Sequence, residues 1–202
     1  MLLNINPENP QKRLIQQVSN CLKKGGLIIY PTDTFYGLGC DIKNKKAIEA
    51  IYRIKNRSKK TPFSFICSDL KDISQYAKVS NQSYRLIKRL LPGPYTFILE
   101  GSKEVPKLML TKRKTAGIRV PDNRICMELT RLLGYPIIST TATDENGNHF
   151  ESMAEMEDYF IKKVDIIIDG GPVPNEPSTI IALSHETPEI IREGLGSTEN
   201  IL

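Results

Sequence analysis

Three cationic side chains stand where charge is costly unless something meets it. Lys55 follows Ile48, Ile51 and Tyr52 on what reads as the buried face of one helix. A lysine there calls for an anion or a carboxylate, unless its stem carries the charge outward. Arg119 lies within Gly117-Ile118-Arg119-Val120, and Arg192 follows Ile190-Ile191. A buried guanidinium is satisfied by a carboxylate or phosphate held through two parallel hydrogen bonds, and an internal Asp or Glu serves as well as a ligand. Hydroxyls gather at other strand ends: Thr32 and Thr34, Ser139 to Thr143, and Ser178-Thr179. Thr115 precedes Arg119 by four residues, on the same side of an alternating strand. Such hydroxyls bind anions or cap the next turn. Brought to one hollow, cations and hydroxyls would receive a small molecule bearing phosphates or carboxylates.

The elements that must position these groups are readable in outline. Leu27-Ile28-Ile29-Tyr30 is short, apolar and bounded by Gly25-Gly26 and Pro31, which predicts a buried strand. It runs into Pro31-Thr32-Asp33-Thr34-Phe35-Tyr36-Gly37-Leu38-Gly39, a polar stretch at the edge where parallel α/β sheets bind ligands. The helix bearing Ile48, Ile51 and Tyr52 then leads through Lys55 into a basic loop with Arg57, Lys59 and Lys60, stopped by Pro62. Amphipathic spacing predicts further helices around Leu14–Leu22, Leu86–Leu91 and Ile125–Leu133, with a short one at Leu70–Tyr76 and another at Val105–Leu110. Ser152 and Glu155 predict a capping box. Strands are expected at Phe63–Cys67, Tyr95–Leu99, Thr115–Val120, Ile137–Thr140, Val164–Ile168, Thr179–Leu183 and Glu189–Arg192. The polar stretch Thr141–Phe150 reads as a loop. Strands alternating with helices predict one three-layer α/β domain over residues 1–202, its sheet mixed and mainly parallel, with an antiparallel part at the C-terminal end.

Composition narrows the chemistry. The net charge of +5 suits an anionic ligand, a nucleotide or a nucleic acid. No apolar run approaches the roughly 18 residues of a membrane span. The segment Met1–Pro7 is too short and uncharged for a signal peptide, so a cytoplasmic location with no membrane partner is expected. The four cysteines form no Cys-x-x-Cys pair and are expected as reduced thiols. Only His149 and His185 could serve a nucleophilic cysteine or a zinc ion, which argues against both, and no protein-bound metal is expected. A Gly-x-x-x-x-Gly-Lys-Ser/Thr loop, a complete Gly-x-Gly-x-x-Gly and a Gly-x-Ser-x-Gly elbow are all missing. A nucleotide would therefore be held by scattered residues.

The combination of motifs resembles the YrdC/Sua5 family. The stretch Pro31 to Gly39 is similar to its opening signature, and Lys55-x-Arg57 with Lys60 and Pro62 to its basic motif. Pro92-Gly93-Pro94-Tyr95-Thr96, Gly117-Ile118-Arg119-Val120-Pro121, Ser178-Thr179 and Arg192-Glu193-Gly194 follow in the family's order. The resemblance spans about residues 10 to 200 and looks closest to the YciO branch, with no counterpart to the extra C-terminal domain of Sua5 proteins. It implies a twisted mixed sheet with a deep basic cleft. It also implies a nucleotidyltransferase that makes L-threonylcarbamoyladenylate from L-threonine, bicarbonate and ATP, releasing pyrophosphate, for the t6A modification of tRNA. Lys55 and Arg57 would be catalytic. Together with Thr115, Thr141 and Arg192 they would face ATP, whose phosphates bring Mg²⁺. Thr32, Tyr36, Thr61, Arg119, Ser139 and Ser178 would face threonine. Lys59 and Lys60 are candidates for contact with tRNA or double-stranded RNA.

Two positions depart from the family's pattern. Ser139-Thr140-Thr141-Ala142-Thr143 stands where the family has Ser-Thr-Ser-Ala-Asn, so Thr143 loses an amide that both donates and accepts. Ser58 replaces a favoured proline. Hydrolysis or reversal at a threonylcarbamoyl group competes on account of Thr143, and non-catalytic binding of double-stranded RNA or nucleotide competes on account of the net charge and of what the resemblance implies.

Overall fold

The computed structural model describes residues 1–58, 63–184, 187–199 and 201. Its strands are β1 (Leu2–Asn4), β2 (Ile28–Tyr30), β3 (Gly37–Asp41), β4 (Ser64–Ile66), β5 (Ala77–Lys78), β6 (Tyr95–Gly101), β7 (Thr115–Arg119), β8 (Ile137–Thr141), β9 (Ile166–Asp169), β10 (Thr179–Ala182) and β11 (Glu189–Arg192). Its helices are α1 (Lys12–Lys23), α2 (Lys45–Ile54), α3 (Leu70–Tyr76), α4 (Asn81–Leu90), α5 (Arg124–Leu133) and α6 (Met153–Phe160). One sheet runs β1-β9-β2-β3-β8-β4-β7-β6-β10-β11, with β5 beside β6.

Among the described residues, β1·β9, β9·β2, β4·β7 and β6·β10 pair in parallel, and the other six pairs are antiparallel. The sheet is mixed, as expected, but parallel pairs are fewer than the alternation of strands and helices suggests. Antiparallel pairing also reaches the middle of the sheet. Two of the antiparallel pairs, β2·β3 and β3·β8, belong to β3, which the sequence pattern hides. Gly37 and Gly39 weaken its strand signal, yet both are needed, because they lie under the ring of Tyr30. A Cβ on Gly39 would stand 2.7 Å from the Ile138 carbonyl oxygen and 2.8 Å from that ring.

Helix ends follow local chemistry. Asn44, Asp69, Ser80, Asn123 and Ser152 each accept a hydrogen bond from the backbone N–H three residues on. The expected capping box is half made: Glu155 reaches back to the amide of Glu151 instead of Ser152. The helix expected at Val105–Leu110 is only a 3-10 turn, Lys107–Met109.

Apolar residues divide between the two faces of the sheet. Ile29, Leu38, Phe65, Phe97, Ile118 and Ile138 meet Ile48, Ile51, Ile73, Ile87 and Phe160 from α2, α3, α4 and α6. Ile28, Tyr30, Ile66, Ile137 and Ile166 meet Ile15, Val18 and Leu22 of α1 and Ile125, Leu129 and Leu133 of α5. This is the three-layer arrangement. On the second face, however, neighbouring strands place Gly39, Ser139, Ser64 and Gly117 side by side. They alternate with Leu38, Ile138, Phe65 and Ile118 of the first face. Small and polar residues thus replace apolar ones at these four neighbouring positions of this face.

Candidate functional site

A cavity of about 600 Å³ opens beside this polar region. Its first wall comes from the end of α2. Asn56, at φ 45°, turns the chain into the left-handed region that asparagine tolerates. The Asn56 N–H then donates to the Arg53 carbonyl at 3.1 Å, and the Arg57 N–H donates to the Tyr52 carbonyl at 3.1 Å. These two bonds are a Schellman motif, and it sets Lys55, Asn56 and Arg57 along the cavity. Lys55 is half-buried, as its place on the apolar face predicts. Its ammonium donates to the Thr143 hydroxyl and, at 3.2 Å, to the Thr143 carbonyl. Burial first, and Arg57 second, push the Lys55 ammonium down to about 8, against an opposing pull from Asp144.

The opposite wall holds the two arginines. Arg119 is buried, and its Nη2 lies 2.6 Å from Asp33 Oδ1 and donates to Thr34 Oγ1 at 3.0 Å. The other Asp33 oxygen accepts the Asp122 amide at 3.0 Å. Burial pushes the Asp33 carboxyl above its usual range, while Arg119 and the Asp122 amide pull it back. Among the described residues Arg119 Nε is buried without a hydrogen-bond partner. The internal acid, one of the two partners weighed for Arg119, is therefore present. Arg192 is exposed, not buried as its apolar neighbours suggested. It donates to the Ser178 carbonyl at 2.7 Å. Partial burial and then repulsion from Arg119 push its guanidinium down. Among the described residues, no carboxylate lies within ion-pairing distance of Lys55, Arg57 or Arg192.

Six residues singled out from the sequence line this one cavity: Lys55, Arg57, Arg119, Thr141, Ser178 and Arg192. Four others do not. Thr115 lies at the far end of β7, about 13 Å along the strand from Arg119, and its hydroxyl is engaged by Thr111 at 2.7 Å. Thr32 donates to the Phe35 carbonyl at 2.6 Å and so braces a turn. The Tyr36 hydroxyl donates to the Gly171 carbonyl and accepts the Gly170 amide. Ser139 accepts from the buried Tyr30 hydroxyl at 2.7 Å. These hydroxyls hold the wall from behind. Lys59, Lys60 and Thr61 lie outside the described residues.

The sequence reading assigned no substrate contact to Thr34, Phe35, Asn56, Thr140 or His149, all of which line the cavity. Phe35 and His149 carried no signal of their own, because a pocket wall made by stacked rings has no local spacing. The cysteines are free thiols, three of them buried and Cys21 partly so. Among the described residues no helix is long and apolar enough to cross a membrane.

Comparison with known proteins bears on this geometry. The family model Sua5_yciO_yrdC, described as telomere recombination, matches residues 20–194. The chain is similar to YciO of Escherichia coli, being 45% identical over 98% of this chain and 97% of that one. The crystal structure of E. coli YciO agrees with a TM-score of 0.93 at 43% identity, covering 100% of this chain and 99% of the other. A threonylcarbamoyl-AMP synthase of Mus musculus is 31% identical over 78% of this chain and 55% of its own length. The crystal structure of P. abyssi Sua5 complexed with L-threonine gives a TM-score of 0.89 at 28% identity, covering 96% of this chain and 57% of that one.

Proposed function

The chain belongs to the Sua5/YciO/YrdC family, and from that premise we propose that its cavity joins L-threonine, bicarbonate and ATP into L-threonylcarbamoyladenylate, releasing pyrophosphate. The observation that carries this reading is the meeting of Lys55, Arg57 and Arg192 on one cavity with no acid of the described chain paired to them. Buried or crowded like charges are costly, and an anionic substrate would relieve that cost. Support also comes from the synthase name of a relative and from the threonine complex of a structural neighbour.

The chemistry requires little from a side-chain nucleophile. Threonine's amine and bicarbonate first form a carbamate, losing water. A carbamate oxygen then attacks the α-phosphorus of ATP, and the bond to the β-phosphate oxygen breaks as pyrophosphate leaves. Charge grows on phosphate oxygens, so fixed cations and donors supply the catalysis. Lys55, Arg57 and Arg192 take the phosphates, with the Thr141 hydroxyl as a further donor. Ser178 and Arg119 face threonine. Asp33 holds one nitrogen of that guanidinium, and the threonine carboxylate is assigned to the remaining edge. Thr32, Tyr36 and Ser139 act by bracing the wall, and Thr115 is given no substrate contact. Among the described residues no group of three or more His, Cys, Asp or Glu converges. Mg²⁺ would accordingly be held mainly by phosphate oxygens and water. The product is of the kind that supplies t6A modification, which makes tRNA the downstream partner.

The test is pyrophosphate release from ATP, Mg²⁺ and bicarbonate, with and without L-threonine, on the native protein and Lys55→Ala. Threonine-dependent release that falls at least tenfold in the variant is expected. Release that ignores threonine, or a variant as active as the native protein, refutes the reading.

A further inference from the structure

Phe35 and His149 both line the cavity and stack directly on each other, their ring centroids 4.1 Å apart and their planes 13° from parallel. The two rings are held differently. Phe35 sits in a braced turn: its carbonyl accepts from Thr32 Oγ1, the next carbonyl accepts the Ala142 amide at 2.8 Å, and the Tyr36 hydroxyl is pinned at Gly170 and Gly171. His149 rides on a loop bonded chiefly to itself. The Asp144 carboxylate accepts the amides of Asn146 and Asn148 and the Asn148 side chain, and the Asp144 amide donates to the Asn148 carbonyl. Among the described residues, the hydrogen bonds of 144–149 run within the loop or to Thr143. The ring stack is thus a tie between this loop and the turn that carries Phe35 that no hydrogen bond reinforces among the described residues, and one aromatic pair is a weak tie.

The two faces now cover each other; parted by the thickness of one ring, one face fixed and one on a loop, they would take a third flat ring between them. Lys55 and Arg57, which have no ion pair among the described residues, line the same cavity. A ligand that fits both features has an aromatic base at one end and phosphates at the other. We propose that Phe35 and His149 form a two-sided clamp that takes a purine base between their rings, the His149 loop yielding while Phe35 stays in place. This rests on the nucleotide reading above and adds to it the residues that select a nucleotide over a bare polyphosphate.

The chain contains no tryptophan, so His149→Trp creates a single fluorescent reporter at the clamp. ATP should change its emission, and inorganic pyrophosphate at saturation should not. By calorimetry, Phe35→Ala and His149→Ala should each weaken ATP binding about tenfold while leaving pyrophosphate affinity within about twofold. Equal losses for ATP and pyrophosphate, or ATP binding untouched in both variants, overturn the clamp even if threonine-dependent catalysis is found. Conversely, ATP-selective losses without threonine-dependent pyrophosphate release uphold the clamp and sink the synthase reading. Failure of the native protein to bind ATP at all removes both.

Discussion

Replacing Arg119 with methionine should destabilise the fold by an amount that depends on pH in a calculable way. The guanidinium and the Asp33 carboxylate are both buried, with side chains 11% and 8% exposed and 2.6 Å apart. Without the cation, only backbone amides such as that of Asp122 would oppose burial of the carboxyl, and burial already holds it above its usual value of 3.8 with Arg119 present. It would then take up a proton. The cost of protonating a free carboxyl at pH 7 sets the ceiling: about 3 units at 1.36 kcal/mol each, or about 4 kcal/mol. For a chain of this size that lowers the melting midpoint by about 8–16 °C. The sign follows from linkage. A carboxyl raised in the folded state contributes stability that is present below its unfolded value and is lost as pH climbs through its folded value. Because Asp33 is already raised in the native protein, the loss in Arg119→Met relative to native should be small near pH 4, begin above the native Asp33 value, and grow by about 1.4 kcal/mol per pH unit until the variant's carboxyl ionises. Urea unfolding between pH 4.5 and 7.5 measures this. Arg119→Met with Asp33→Asn removes the charge and should recover most of the stability at pH 7, since a buried pair exchanged for neutral groups is often tolerated. A loss independent of pH, or no recovery in the double variant, would falsify the claim that Asp33 is the counter-ion that matters.

Three further outcomes are expected. Pyrophosphate binding should weaken as pH rises through about 8, where free Lys55 loses its proton, and Lys55→Arg should flatten that dependence because arginine stays charged; calorimetry from pH 6.5 to 9.5 decides. Thr143→Asn should raise threonine-dependent pyrophosphate release, because an amide can accept from Lys55 and donate to a phosphate oxygen at once, and an unchanged or lower rate counts against that account. Gly39→Ala should cost about 1–3 kcal/mol through overpacking against the Ile138 carbonyl and the Tyr30 ring; a thermal melt within 1 °C of native would show that the strands can yield.

The sequence by itself determined the features that a dozen neighbouring residues can encode. Apolar spacing set which face of α2 is buried and placed Lys55 at its margin. Side-chain caps set the starts of α2 and α5, and Gly134 set the end of α5. Alternation located most strands to within a residue or two, and motif order carried the family. Tertiary structure decided everything that depends on register and distant partners. Whether Arg119 meets a ligand or an internal acid hinged on Asp33, 86 residues away. Whether Ser139 faces substrate or a tyrosine hinged on how Tyr30 lies over β3 and β8. Thr115 shares a strand face with Arg119, yet only one of them lines the cavity, because a strand advances about 3.3 Å per residue and a pocket is local. The stacking of Phe35 on His149 likewise joins a turn to a loop more than a hundred positions on. Periodicity reports which way a side chain points, whereas its partner is chosen by strand order, and strand order is a property of the whole packed chain.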